Sequence, residues 1–312
     1  YRRKNQVIYL TAAVIADRFL LQYNNLNKSG GICMGRKLFC EISPFTYRIS
    51  TEKCQLIRNI SDLFSQLHGT RFASVKDTQP FPVLIYRHQS LIRRKLGQVD
   101  MTLQENKAVN LSLAAPLVNG ILIRPGETFS FWRLVGDTTE KKGYKTGLTI
   151  KENAPAKGIG GGMCQFTNLI HWMILHSPLT IVEHHHHDGL DLFPDFGRQI
   201  PFGTGTSILY NYKDYRFRND TDLTFQLLAH TTDKYLSGEL RASAPQPYRY
   251  HIYTENEFFS RENGIVYRNG TVLRDTIDPV TGNHIKQETI RVNHARVLYN
   301  TDHLTIIDSD QS

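Results

Sequence analysis

A glycine run that ends at a cysteine constrains this sequence more than any other feature. Residues 158–165 read GIGGGMCQ and lead into an apolar segment with helical spacing, which stops before Ser177-Pro178. Glycine permits close backbone approach and positive φ, at an entropic cost that a core helix has no need to incur. A helix start presents unpaired N–H groups and a positive dipole end, which favour a thiolate. The pattern predicts that Cys164 is a nucleophile at a helix start.

The loop around the cysteine is the predicted source of oxyanion donors. Its candidate donor residues are Gly161, Gly162, Met163 and Gln165. Backbone N–H groups at such a position can hold the negative oxygen of a tetrahedral intermediate. The competing interpretation is that Cys164 is a buried structural residue, because free cysteine often behaves as a small hydrophobe.

The remaining cysteines are clustered early in the chain, at Cys33, Cys40 and Cys54. Four cysteines allow three pairings, which sequence does not distinguish. If two of the early three pair, Cys164 stays free to react. No C-x-x-C pair is present, which argues against a structural zinc site, and we expect no metal and no cofactor.

Four consecutive histidines, His184 to His187, follow a short predicted strand. Histidine is the commonest general base near neutral pH, and alternate residues of a strand end face the same side. One converging pair would be His185 and His187, either of which could partner Cys164 in acyl transfer through a covalent intermediate. The alternatives are a solvated polar loop and a zinc site that includes Asp188.

Charge and composition limit the class of partner. The 312 residues are 40% hydrophobic and 21% charged, as in an ordinary globular protein of one large or two modest domains. Lys and Arg number 37 against 29 Asp and Glu, a formal charge of +8, which favours anionic wall polymers or an anionic membrane surface. Nucleic acid is not expected, because no RNA- or DNA-binding motif accompanies the charge. The alternative is an ordinary basic surface, and the oligomeric state is not indicated.

The start of the chain has a basic-then-apolar order. YRRK at residues 1–4 precedes an apolar stretch, which mimics a short signal peptide and equally fits the first helix of a folded region. No clear signal segment is present, and no apolar run is long enough to span a bilayer. Because the chain begins with Tyr1 rather than methionine, a leader could precede it.

Periodicity predicts both helices and strands. Apolar residues at helical spacing predict helices over residues 54–67 and 104–119, with Pro116 expected to kink or end the second helix. Residues 128–132 and 206–212 have the composition of strands.

Two Asn-Gly pairs, at residues 263–264 and 269–270, are typical hairpin turns. We therefore expect an α+β fold, in which an antiparallel β-rich core carries the Cys164 helix. The expected regions are a mainly helical N-terminal region at 1–80, a central domain at 81–245 and a β-hairpin extension at 246–312.

Five sequence blocks, in their order and spacing, resemble the VanW family over roughly residues 81–245. The blocks are QENK at 104–107, RPGETFSFW at 124–132, GIGGGMCQ at 158–165, PLTIVE at 178–183 and NDTD at 219–222. VanW-type proteins resemble accessory products of glycopeptide-resistance clusters. Other VanW domains are assigned L,D-transpeptidase activity, which makes 3–3 cross-links in peptidoglycan with a catalytic cysteine.

The resemblance implies roles for particular residues. Cys164 takes the place of the nucleophile, His187 is the nearest match to the family's histidine, and His185 is next. Ser130 and Trp132 of the RPGETFSFW block become substrate-pocket candidates. The implied function is that of a cysteine acyltransferase acting on peptidoglycan stem peptides, in a wall-associated or extracytoplasmic protein. The open alternatives are a non-catalytic wall-binding accessory module and a cysteine peptidase or amidase.

Overall fold

The fold is described by a computed structural model over residues 42–94, 100–151, 154–186, 189–192, 194–195 and 200–308. The chain divides between Ser50 and Thr51 into two compact units. The described residues of the first unit supply the first turns of helix α1 (Pro44–Leu67). Ser43 caps this helix by accepting the Thr46 N–H at 3.2 Å, and proline suits the first helical position because its missing N–H would be unpaired there. All other elements belong to the second unit.

Helices and strands alternate irregularly along the second unit. The further helices are α2 (Met101–Val118), α3 (Phe131–Val135) and α4 (Met163–Leu175). In the described residues, the strands in chain order are β1 (Arg71–Phe72), β2 (Val83–Leu91), β3 (Ile121–Ile123), β4 (Glu127–Ser130), β5 (Thr146–Lys151), β6 (Ala154–Ile159), β7 (Thr180–Glu183), β8 (Leu190–Asp191), β9 (Arg216–Arg218), β10 (Phe225–Thr231), β11 (Tyr235–Ala242), β12 (Arg249–Glu262), β13 (Ile265–Ile277), β14 (His284–Val297) and β15 (Ile306–Asp308). Most strand pairs are antiparallel, so the predicted α+β class is confirmed.

The main core lies between an antiparallel sheet and two helices. The sheet has the order β2-β11-β10-β3, with α4 against β2 and β11 and α2 against β10. Phe166, Leu169, Ile170 and Met173 of α4 are all buried in this core. Burial of such apolar side chains is the main stabilising contribution to a fold. The first turn of α4 is thereby held near the end of β2.

A second sheet, β1-β4-β9-β7, is tied to α1 by buried charge. Arg216 of β9 donates to both carboxylate oxygens of Asp62 in α1, at 2.7 and 2.8 Å, and to Asp214 at 2.7 Å. Arg58 of α1 donates to both oxygens of Glu183 at the end of β7, at 2.7 and 2.6 Å. These ion pairs join the α1 residues Arg58 and Asp62 to strands β7 and β9, which follow more than a hundred residues later in the sequence.

The third sheet contains the C-terminal strands in the order β15-β12-β13-β14-β8. A small apolar cluster joins it to the back of α4, where Trp172 and Leu175 pack with Ile252 and Val272. β5 and β6 form a separate antiparallel pair just before the glycine run. No helix in the described part of the chain combines the length and apolar composition needed to cross a membrane.

One sequence-predicted strand is shorter than predicted and another is wrong, for local reasons. Residues 128–132 are not one strand, because the Ser130 hydroxyl accepts the Arg133 N–H at 3.4 Å and caps α3. Residues 206–212 form no named strand, because the Thr206 N–H and hydroxyl donate to the Asn168 side chain at 2.6 and 2.8 Å. In both places a side chain satisfies backbone groups that a β ladder would otherwise pair.

One of the two predicted hairpin turns is confirmed. Asn263 and Gly264 form the turn between β12 and β13, whereas Asn269 and Gly270 lie inside β13, where Gly270 is registered opposite Asn293. The ladder on the β12 side is irregular there, between Glu255 and Phe258. The second Asn-Gly pair therefore accompanies a bulge, which is another common place for glycine in a strand. The helices predicted over residues 54–67 and 104–119 are confirmed as parts of α1 and α2.

Candidate active site

Cys164 lies in the wall of a cavity of about 1030 Å³. The wall also includes the glycine run, the end of β2, part of the segment over 200–210 and residues of β14. This volume is in the upper range for sites that bind small organic ligands. A nucleophile in such a wall can meet a ligand from the cavity side.

The sharp entry into α4 depends on two glycines. Gly162 precedes the helix with φ 112°, and a Cβ there would lie 2.5 Å from Cγ of Lys107. A Cβ on Gly161 would lie 2.4 Å from the carbonyl carbon of Gly147 in β5. Real Cβ atoms do not approach other atoms this closely, so the run passes where side chains cannot. The predicted close backbone approach is thus present on two sides of the loop.

Asn110 of α2 holds the same loop in place. Its side-chain amide donates to the carbonyl oxygens of Gly161 and Lys145, both at 2.9 Å, and its Oδ1 accepts the Lys145 N–H at 2.7 Å. Asn110 is fully buried, where each such bond spares the backbone a desolvation penalty. The position of Cys164 relative to α2 is therefore fixed.

Polar side chains also hold the first turn of α4 against the segment that follows the histidines. The carbonyl oxygen of Cys164 accepts the hydroxyls of Thr167 at 3.2 Å and Thr206 at 3.4 Å. Thr206 is itself anchored on Asn168. This packing places the backbone N–H of Ile208 close enough to the thiol to favour its charged form.

Burial decides the resting charge of the cysteine. It raises the pKa of the Cys164 thiol, against the opposing effect of the N–H groups of Ile208 and of Cys164 itself. Desolvation disfavours the charged form of a thiol, whereas donors to the sulfur favour it. The helix start therefore does not by itself produce a thiolate, and Cys164 rests as a neutral thiol.

The predicted oxyanion donors lie at the cavity, with one of them engaged. Gly161, Gly162, Met163 and Gln165 all line it. The Gln165 N–H already donates to Gly162 O at 3.0 Å, and its side-chain amide donates to Ser90 Oγ and Leu91 O, both at 2.9 Å. The N–H groups of Met163 and Cys164 have no carbonyl acceptor within the helix, because they precede its first intrahelical bond. They are the donors that the helix start offers.

The described histidines of the run differ in their contacts. His185 bonds Glu183 through Nε2 at 2.9 Å and is not among the cavity-lining residues, whereas His186 lines the cavity with Cys164. His187 and Asp188 lie outside the described residues. Among the described histidines of the run, the structure thus brings His186 to the cavity of Cys164, and His187 stays a prediction.

A column of aromatic rings supports His186. The ring of His184 lies between those of His171 and His186, with centroids at 4.1 and 4.0 Å, and its Nε2 contacts Gly205 O at 3.1 Å. His171 is buried in α4, and its Nδ1 lies 3.0 Å from the Tyr215 hydroxyl. Burial, together with the nearby His184 and His186, holds the pKa of His171 well below its ordinary value. The inner ring of the column is therefore neutral.

Of the two substrate-pocket candidates, Trp132 lines the cavity and Ser130 does not. The Ser130 hydroxyl is buried and donates to Asp214 Oδ2 at 2.5 Å, away from the cavity-lining residues. Trp132 lines the cavity, with its indole N–H donating to Lys213 O at 3.0 Å and its ring edge-on to Tyr210. Trp132 offers the cavity an apolar surface held in one orientation.

Sequence reasoning missed Lys107 as a site residue. This lysine on α2 lines the same cavity although only 7% of its surface is exposed. Burial, followed by the charges of Arg94 and Arg93, lowers the pKa of Lys107 to about 7. The available signal was its helical spacing from Gln104 and Asn110, which marks a polar stripe on a helix face that is otherwise apolar.

Metal binding and disulfide chemistry have less support than thiol chemistry in the described residues. Within the described part of the chain, no group of three or more His, Cys, Asp or Glu side chains is placed to hold a metal ion. Cys54 and Cys164 are free thiols, and Cys33 and Cys40 lie outside the described residues. The titratable side chains that line the cavity include the thiol, imidazoles, cations and the carboxylates of Asp137, Asp191 and Asp195.

Comparison with known proteins bears on the same stretch of chain. A family model described as "VanW like protein" matches residues 106–241, which include Lys107, Cys164 and the histidines. The chain is also 34% identical over 231 residues to "Vancomycin B-type resistance protein VanW" of Enterococcus faecalis (strain ATCC 700802 / V583), covering 74% of this chain and 84% of that protein. The chain belongs to the VanW family.

A second similarity covers a shorter stretch of the chain. "Uncharacterized protein YoaR" of Bacillus subtilis (strain 168) is 30% identical over 118 residues, 37% of this chain and 36% of that protein. No solved structure matches the chain. The candidate reactive groups of this chain are therefore inferred from the residues that line its cavity.

Proposed function

We propose that this VanW-family protein modifies the bacterial cell wall as a cysteine acyltransferase on peptidoglycan stem peptides, of the L,D-transpeptidase type. The observation that carries the proposal is the thiol of Cys164 at the start of α4, in the wall of a 1030 Å³ cavity that His186 also lines. The relative named for vancomycin B-type resistance supports a role in glycopeptide resistance.

The proposed reaction has two balanced steps. The sulfur of Cys164 forms a bond to a stem-peptide carbonyl carbon, and the C–N bond to the terminal D-amino acid breaks. The thiol proton passes to the leaving amine. An acceptor amine then attacks the thioester, forms the new amide and returns a proton to the sulfur. Water in place of the amine would give trimming instead of cross-linking.

Two groups at the cavity suit these steps. The N–H groups of Met163 and Cys164 at the helix start can hold the developing oxyanion, and such a donor contributes about 3 kcal/mol in comparable enzymes. We assign the proton transfers to His186, because it is the described histidine of the run that lines the cavity with Cys164. A base is required, since burial keeps the resting thiol protonated.

Product analysis with purified muropeptides tests the proposal. We expect the unaltered protein to form cross-linked or trimmed muropeptides, visible by liquid chromatography with mass detection, and Cys164→Ala to form none. Cys54→Ala is the matched control, because Cys54 is the other described free thiol and lies on α1. Equal product from Cys164→Ala and the unaltered protein would exclude the thiol mechanism.

The histidine assignment has its own paired test. His186→Gln should reduce turnover on the order of a hundredfold or more, as expected for a general acid–base group. His185→Gln should retain most turnover, because His185 bonds Glu183 instead of lining the cavity. The reverse order of effects would move the acid–base role to His185.

A wall-binding accessory protein without catalysis is the second candidate. The raised pKa of the Cys164 thiol favours it, because a reactive cysteine usually has a lowered one. Such a protein would bind stem peptides or wall polymers in the cavity equally well with Cys164→Ala. Binding without any product would identify this function.

A further inference from the structure

Lys107 occupies an unusual place for a lysine. Its stem packs on Gly162 at the entry to α4, two residues before Cys164, and its side chain lines the cavity with 7% of its surface exposed. Within the described residues, no carboxylate or carbonyl accepts a hydrogen bond from its ammonium group. Buried cations are rare unless they are paired. A buried, unpaired lysine that lines a cavity points to a ligand that supplies the missing partner.

The charges around Lys107 have the same sign. Arg93 and Arg94 line the cavity beside it and both disfavour its protonation, after burial, so that its pKa falls to about 7. Arg93 is already paired with Glu105, at 2.6 and 2.8 Å. The two charges that act most strongly on Lys107 after burial are therefore both positive. An anionic group bound there would relieve both the desolvation of Lys107 and its repulsion from the arginines.

The separation between the attacked carbonyl and the carboxylates of a bound peptide indicates which carboxylate would lie near Lys107. Lys107 packs on Gly162, which precedes the Cys164 helix, and both residues line the same cavity, so we take an anion at Lys107 to belong to the part of the ligand nearest the attacked carbonyl. One peptide residue spans at most about 3.6 Å. A carboxylate one residue beyond the attacked carbonyl is therefore at the right range, whereas one several residues away is not.

We propose that Lys107 binds the free C-terminal carboxylate of the acyl-donor peptide and so restricts attack to the bond before a single terminal D-amino acid. Lys107 acts here as a binding residue for substrate. The proposal rests on the proposed function for the identity of the peptide. It concerns binding and is independent of the covalent step.

The test measures binding in the absence of thiol chemistry. In the Cys164→Ala protein, affinity is measured by calorimetry for a stem peptide with a free terminal D-amino acid carboxylate and for the same peptide with a terminal amide. We expect the acid to bind on the order of 10- to 100-fold more tightly, as for a hydrogen bond to a charged group. Adding Lys107→Met, of similar length but without charge, should abolish that preference.

Lys141→Met in the same background is the matched control, because Lys141 is exposed and not among the cavity-lining residues. It should keep the preference for the acid. Lys107→Met should remain folded, since removal of a buried ammonium leaves no unpaired partner, and the melting temperature checks this. Equal binding of acid and amide, a preference that survives Lys107→Met, or no binding of the acid at millimolar concentration would each overturn the proposal. If the preference is found but the unaltered protein forms no products, the carboxylate subsite stands and the acyl-transfer function fails.

Discussion

Cys164 is subject to opposing electrostatic effects. The start of α4 and two N–H groups favour the thiolate, whereas burial favours the thiol and prevails. The sequence allowed the first effect to be predicted, because glycine and helix signals are local. The second depends on the packing of the segment around Thr206 and Ile208, which no local pattern in residues 158–165 contains.

We predict that Cys164 alkylates slowly in the folded protein. Because burial raises the pKa of its thiol, the midpoint of its pH–rate profile should lie above that of the same cysteine in the urea-unfolded chain. Iodoacetamide labelling between pH 6 and pH 10, followed by peptide mapping, measures both. A folded-state midpoint below the unfolded one would show that the helix start outweighs burial.

Gly162 should tolerate no side chain. We expect Gly162→Ala to lower the free energy of unfolding by more than about 2 kcal/mol, because a positive φ and a contact with Lys107 both oppose a Cβ. Urea denaturation measures the loss. Gly264→Ala is the control, since Gly264 also has a positive φ, 75°, but a Cβ added there would meet no atom within 4 Å. Equal losses in the two variants would mean that the contact contributes nothing.

At the scale of elements, side chains decide where helices and strands end. The apolar spacing of α1 and α2 was sufficient to predict them, because a helix face repeats over many residues. The change from β4 to α3 was not predictable from composition, since it depends on Asp214, which accepts both the Ser130 hydroxyl and the Trp132 N–H. Asp214 lies more than eighty positions away in the sequence, so the local pattern around Ser130 does not reveal it.

The charge network between α1 and β7 should make stability depend on acid. Burial opposes ionisation of Glu183, but His185, Arg58 and the Asp214 N–H outweigh it and lower the pKa of Glu183 to about 2 from 4.5. A lowered folded-state pKa stabilises the protein above pH 4.5, and that stabilisation disappears as the pH falls towards 2. At about 1.4 kcal/mol per pKa unit, it amounts to about 3 kcal/mol.

Glu183→Gln isolates this contribution. The unaltered protein should be more stable than the variant at pH 6, and the difference should shrink steadily between pH 5 and pH 3. Urea midpoints at each pH provide the measurement. A difference that stays constant across this range would show that Glu183 does not ionise with the lowered pKa.

At the scale of the whole molecule, the C-terminal sheet and the VanW-like region share a core. Trp172 and Leu175 of α4 pack with Ile252 of β12 and Val272 of β13. The sequence predicted the turn between β12 and β13 but not the docking of this sheet, because which face meets α4 depends on contacts far apart in the chain. The cavity could not be predicted from local sequence patterns for the same reason, because its lining residues come from β2, the glycine run and β14.

We predict that Val272→Ala destabilises the VanW-like region as well as its own sheet. The loss of two buried methyl groups should cost about 2 kcal/mol and shift a single unfolding transition. Tryptophan fluorescence reports it, because Trp172 lies in the affected cluster. Val280→Ala, at a hairpin position 91% exposed, should leave the transition unchanged. Two separate transitions, with only one shifted, would show that the sheets unfold independently.

The pairing of β8 with β14 has a consequence for the order of assembly. Leu190 pairs with Arg296 and Asp191 with Val297, partners about a hundred residues apart, and Asn293 of β14 bonds Phe202 O beside the cavity. Pairings of such separation form late, because a long loop must close first. On the ribosome, α4 and its cysteine emerge before the strand that completes the cavity wall has been made. A chain stopped before β14 would therefore present the thiol of Cys164 without this part of the cavity wall, and the cavity is completed only after β14 has been made.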